Sequence, residues 1–170
     1  MDYLESPSLA FPVGFEPKGL KGALMLRLWD IEQKFLYLKN NVLVATPPYP
    51  NMPVYFMSVL VNRSLDSKKQ PVFMGLENGQ FTLSCVKSSE GQPQLKLVER
   101  DIMELYFKPE KQLSFTFYSK IDGSPETCSF ESAEFPGWFL STSFEPNMPV
   151  GLSHPGGTEN TLFYFEKKVQ

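Results

Sequence analysis

The chain is poor in cysteine and almost without histidine. Cys85, Cys128 and His154 are all that 170 residues contain. Two cysteines are too few for a disulfide framework. With one histidine they cannot furnish a structural zinc site of the Cys and His kind, and no metal site is expected. Nowhere do some eighteen apolar residues run together, which leaves no candidate for a membrane-spanning helix. Positive charge is not in excess, with a net charge of −3 and a pI of about 5.3. That argues against nucleic acid as the main partner, because phosphate contacts need a concentrated positive patch. Lys68-Lys69 and Lys167-Lys168 read as short solvated pairs. Gly-x-Ser-x-Gly, phosphate-loop and dinucleotide fingerprints are missing too. Glu131 and Glu134 flank Ser132, but carboxylates beside a strand corner are ordinarily solvated, and no enzymatic role is expected.

Hydrophobic residues make up 42% of the chain, enough for a core, and fifteen Phe with fifteen Pro favour short strands and sharp corners. Met1 to Lys18 carries Pro7, Pro12 and Pro17, no sustained period and no basic-then-apolar signal pattern. It reads as a flexible leader, residues 1–18, before a domain of residues 19–170. From Leu24, Leu26 and Leu28 alternate with Met25, Arg27 and Trp29, which is a half-buried strand with Arg27 and Trp29 outward. Asn40-Asn41 joins two runs as a hairpin, since Asn tolerates positive φ. Strands are then expected over Val54 to Val61, Val72 to Leu76, Gln80 to Cys85 and Gln94 to Val98. One helical turn follows, capped by Asp101. Further strands are expected over Leu113 to Tyr118, with Phe115 and Phe117 inward, and over Glu126 to Phe130. After a corner at Pro136-Gly137 come Trp138 to Thr142, Val150 to Leu152, and Thr161 to Glu166 with Tyr164 outward. Cys85 and Cys128 fall on apolar strand faces and read as buried reduced thiols. The Asn62-Arg63-Ser64 sequon matters only in a chain that enters the secretory pathway.

About twelve strands without βαβ alternation make an all-β chain. Phe35-Leu36-Tyr37-Leu38, Phe81-Thr82-Leu83-Ser84 and Phe139-Leu140-Ser141-Thr142 are weakly alike. Their spacing suits a pseudo-threefold repeat of four strands each. A six-stranded barrel closed by three hairpins, a β-trefoil, buries such faces and leaves few free edges. A sandwich or jelly roll is the alternative on periodicity alone.

The order of residues across the corner adds a resemblance. Phe130, Ser132, Ala133, Pro136, Phe139, Leu140, Ser141 and Thr142 fit, at fixed spacing, the short motif of the interleukin-1 family. Arg27 to Lys34, Tyr37 to Asn41, Leu83 to Ser88, Asp101 to Tyr106 and Phe163 to Phe165 are similar to the antagonist and interleukin-36 branch of that family. The resemblance covers roughly Gly19 to Glu166. It implies a β-trefoil and a monomeric cytokine that binds an immunoglobulin-like receptor ectodomain without cofactor or catalysis. An antagonist of inflammatory signalling is expected first, and an agonist that recruits the accessory chain second. The positions matching Trp29, Gln33 and Tyr164 belong to the family's receptor-contact surface, and Arg27 shares the outer face of Trp29. Leu162 stands where the family's antagonists and agonists differ in charge, so the sign of signalling is open there. The resemblance further implies release to the extracellular space without a conventional signal peptide, after a cytoplasmic stage. Family processing nine residues before an apolar-x-Asp motif, here Leu28-Trp29-Asp30, would start the active form at Gly19. Sugar-binding trefoils usually repeat Gln-x-Trp, and neither Trp29 nor Trp138 stands in that setting.

Overall fold

The computed structural model describes residues 23–122 and 126–168. The expected leader and Gly19 lie outside the described residues. Among the described residues thirteen strands occur: β1 (Leu24–Asp30), β2 (Phe35–Lys39), β3 (Val42–Thr46), β4 (Met57–Val61), β5 (Pro71–Gly75), β6 (Phe81–Lys87), β7 (Pro93–Glu99), β8 (Thr116–Asp122), β9 (Thr127–Ser132), β10 (Phe139–Ser141), β11 (Met148–Pro149), β12 (Gly151–Ser153) and β13 (Phe163–Lys167). An α-helix, α1 (Ile102–Phe107), lies between β7 and β8.

The pairings close a ring. β1 pairs with β4, β4 with β5, β5 with β8, β8 with β9, β9 with β13, and β13 returns to β1. Six antiparallel strands therefore form a closed barrel, which leaves the barrel itself without an edge. Between successive barrel strands sit three pairs, β2–β3, β6–β7 and β10–β12. Each four-strand unit supplies two barrel strands and one such pair, and the three similar tetrapeptides begin β2, β6 and β10. This is the β-trefoil.

Local chemistry explains the corners. Asn40 and Asn41 both have positive φ, 50° and 65°, as the two-residue turn between β2 and β3 requires. Asp101 caps α1 by accepting the Met103 N–H at 2.9 Å. At the Pro136-Gly137 corner Gly137 has φ 90°, its N–H donates to Glu131 Oε2 at 2.8 Å, and its carbonyl accepts from His154 Nδ1 at 2.8 Å. The His154 ring packs 4.2 Å from Trp138. The hydroxyl of Ser132 accepts the Phe135 N–H, which gives it a structural partner in this corner.

Leu26, Leu28, Met57, Val59, Met74, Phe117, Phe130, Leu140 and Phe163 fill the barrel. Cys85 and Cys128 are buried in the same cluster and form no disulfide, and burial pushes the Cys85 thiol up to about 11. A second cluster, Leu60, Phe73, Ile102, Leu105 and Tyr106, packs α1 onto the outer face of β4 and β5.

Two strand starts move by three residues from expectation, and one strand is added. Val54 is half exposed, and β4 begins only at Met57, after the proline-rich loop. Leu113–Phe115 is a 3-10 turn whose Phe115 packs on the second cluster, so only Phe117 of the expected pair enters the barrel. The turn follows Gln112, which takes positive φ and accepts the Thr116 hydroxyl on its carbonyl. Met148–Pro149 adds a two-residue strand against β3, which raises the count to thirteen.

Candidate functional site

Alternation along β1 sorts its side chains. Leu26, Leu28 and Asp30 are fully buried, while Arg27 and Trp29 face outward and are half-buried. β13 lies on one side with Tyr164 opposite Trp29, and β2 on the other with Phe35 opposite Trp29. Three aromatic rings therefore stand in a row across three adjacent strands. The Trp29 and Phe35 centroids are 5.2 Å apart, and those of Trp29 and Tyr164 6.1 Å. Such separations fall within the range of favourable aromatic pairs. The Arg27 guanidinium sits 4.2 Å above Phe35, a cation–π contact that fixes its long side chain against the row.

The row ends at the tight turn between β1 and β2. There the Asp30 N–H donates to the Lys34 carbonyl, and the Gln33 N–H donates to the Asp30 carbonyl. Gln33 is exposed and holds φ 68°. Beneath the turn the Asp30 carboxylate is wholly buried and saturated. Oδ1 accepts the N–H groups of Glu32 and Lys34, each at 2.9 Å. Oδ2 accepts the Thr142 hydroxyl at 2.6 Å and lies 3.2 Å from Lys34 Nζ. Lys34 Nζ also meets Glu32 Oε1 at 2.8 Å, and Asn160 donates to the same oxygen at 2.9 Å. Hydrogen bonds from Lys34 and then Asn160 hold the Glu32 carboxyl below its ordinary 4.5. Burial by itself would lower Lys34, but its hydrogen bonds to Glu32 and Asp30 outweigh it and hold the ammonium above 10.5. The charged knot ties the turn to the segments carrying Thr142 and Asn160, which pair with each other. Trp29, Phe35 and Gln33 are thereby presented on a braced frame.

Of the five expected contact residues, Arg27, Trp29 and Tyr164 come together in this row, and Gln33 stands on the adjoining turn. Leu162 does not join them. It is half-buried and lines a cleft of about 940 Å³ with Lys69, Tyr118, Lys120 and Phe139, among others; the row does not contribute to that lining. Two participants were missed in the sequence. Phe35 was legible from the tight turn, which puts it across from Trp29. Asp30 was legible from parity, since a carboxylate in step with Leu26 and Leu28 must be buried and partnered.

Comparisons with known proteins agree with this architecture. The family model described as Interleukin-1 / 18 matches residues 50–165. The interleukin-36 receptor antagonist protein of Mus musculus is 44% identical over 136 residues, covering 79% of this chain and 85% of that protein. The interleukin-1 receptor antagonist protein of Sus scrofa is 37% identical, over 95% of this chain and 88% of its own length. The crystal structure of chicken interleukin 1 beta superposes with a TM-score of 0.71 at 27% identity, covering 84% of this chain and 95% of that one. With the barrel, the three hairpins and the matched sequence in agreement, the chain belongs to the interleukin-1 family of cytokines.

Proposed function

We propose that this chain is a receptor antagonist that binds an interleukin-1 or interleukin-36 type receptor through the row of Arg27, Phe35, Trp29 and Tyr164, with Gln33 at its rim. The observation that carries the reading is the row itself, with large rings and one guanidinium half-exposed on a rigid barrel. Aromatic and Arg anchors of this kind carry most of the energy of protein interfaces. The partner is an immunoglobulin-like ectodomain met by a monomer, over a contact of about 800 Å² on each side. Antagonism is supported by the likeness to two antagonist proteins. Leu162 is neutral and half-buried in its own cleft, so that position favours neither sign of signalling. The active form starts near Gly19 and acts in the extracellular space, reached without a conventional signal peptide from a cytoplasmic pool.

The test is a binding and signalling panel with purified 1–170 and 19–170 on cells bearing interleukin-1 or interleukin-36 receptors. The expected outcome is binding without activation, suppression of the matching agonist, and higher potency for 19–170. Activation by either form alone would replace antagonist with agonist. Equal potency of the two forms would remove the processing step.

A further inference from the structure

Asn62-Arg63-Ser64 is the one Asn-x-Ser/Thr triplet in the sequence, and neither the receptor reading nor the barrel accounts for it. In the folded chain Arg63 and Ser64 are exposed, while Asn62 is only 2% exposed. Its amide is fully engaged. Nδ2 donates to the Lys111 carbonyl at 2.8 Å and to the Thr116 hydroxyl at 2.8 Å. Oδ1 accepts the Ser64 N–H at 2.9 Å, and the backbone N–H donates to the Pro71 carbonyl at 2.9 Å. The side chain is thus the junction between the end of β4, the start of β5 and the loop that leads into β8. Thr116 passes the connection on through its own bond to the Gln112 carbonyl, and Gln112 in turn donates to Leu105 of α1.

We infer that Asn62 is an N-glycosylation site open only to the unfolded chain, so that a glycan there and this fold exclude one another. In oligosaccharyl transfer the Asn62 Nδ2–C1 bond forms. The C1–O bond to the pyrophosphate of a lipid-linked oligosaccharide breaks, and one amide proton is lost. The product keeps one N–H where the fold uses two, so either the Lys111 carbonyl or the Thr116 hydroxyl loses its donor inside the protein. The sugar ring would also have to occupy space already filled by β8 and its preceding loop. Native molecules therefore carry no glycan at Asn62. A chain that reaches the transferase unfolded divides between a modified fraction that cannot complete the barrel and an unmodified fraction that can. This holds whichever receptor the outer face binds.

The direct test offers a single-subunit oligosaccharyltransferase and a lipid-linked oligosaccharide to two acceptors: the folded full chain and a synthetic peptide spanning residues 58–68. The peptide is expected to be modified at least a hundredfold faster, and rates within threefold of each other would overturn the inference. A cellular arm places the full chain behind a grafted cleavable signal peptide, as wild type, as Ser64→Thr (a stronger acceptor) and as Ser64→Ala (no acceptor). Ser64 is exposed and holds Asn62 through its backbone N–H, so both substitutions leave the junction intact. Protease-resistant secreted protein is expected to lack the glycan in every form, with several-fold more of it from Ser64→Ala and less from Ser64→Thr. Protease-resistant, secreted chain bearing the glycan on Asn62 would sink the idea.

Discussion

The outer row and the charged knot share the β1–β2 turn, yet they hold together by different physics. Arg27, Trp29, Phe35 and Tyr164 touch through rings and a cation on a face open to solvent. Asp30, Lys34, Thr142 and Asn160 touch through charge and hydrogen bonds beneath it. Side chains of the first kind can exchange solvent for a partner. Those of the second kind have no spare valence to offer, because every donor reaching Asp30 is already used by the fold. Neighbours in sequence are therefore divided between an outer face and a buried one by strand alternation.

The largest effect should come from the knot. Asp30→Ala leaves the Lys34 ammonium buried beside unpartnered donors and should cost about 3–5 kcal/mol of stability, read by urea unfolding. A loss within about 0.5 kcal/mol, the range of an ordinary surface change, would show that the knot does not brace the turn. Next, Trp29→Ala should weaken receptor binding by about 2 kcal/mol, with a smaller loss of stability of about 1 kcal/mol from the two ring contacts. Surface plasmon resonance beside thermal unfolding separates the two quantities, and unchanged affinity would take Trp29 out of the site. The third test concerns Gln33, whose positive φ glycine adopts without a Cβ penalty. Gln33→Gly should raise stability by about 0.5–1 kcal/mol. It should lower affinity only if the Gln33 side chain meets the receptor, so a stabilised variant with full affinity would confine Gln33 to the turn.

The smallest effect is the pH dependence of the knot. The Glu32 carboxyl titrates lower folded than unfolded, so its contribution is present above about pH 4.5 and fades as pH falls through the folded value. The Lys34 ammonium titrates higher folded than unfolded. Its contribution is complete below about pH 10.5 and fades as pH rises through the folded value. Because Glu32 is half exposed, its share should stay under about 1 kcal/mol and shrink with salt. Glu32→Gln should flatten the acid limb of the stability curve by that amount, and an unchanged acid limb would assign it to other carboxylates.

Much of the trefoil was legible because its signals are local. Asn-Asn at the first hairpin, Asp101 before α1 and Gly137 at the corner each demand a particular backbone, and each adopts it here. The boundary at Leu113–Phe115 was not legible. Its apolar residues suit a strand, and only the second cluster beneath α1 gives Phe115 somewhere else to pack. The site was half legible for the same reason. Period-two alternation places Trp29 and Tyr164 outward, but their contact depends on the β1–β13 register, set by residues more than a hundred positions apart.

The sequence alone determined an all-β chain with three similar units, buried thiols, an outward Trp29 and membership of a cytokine family, because alternation, turn residues and motif order are properties of neighbouring residues. Tertiary structure decided what each side chain meets. It closed six strands into a barrel, placed Phe35 and Tyr164 on either side of Trp29, left Leu162 in another cleft, and made the Asn62 side chain of the sequon a buried junction. Those outcomes follow from long-range register and packing, which bring together groups that no local pattern can pair.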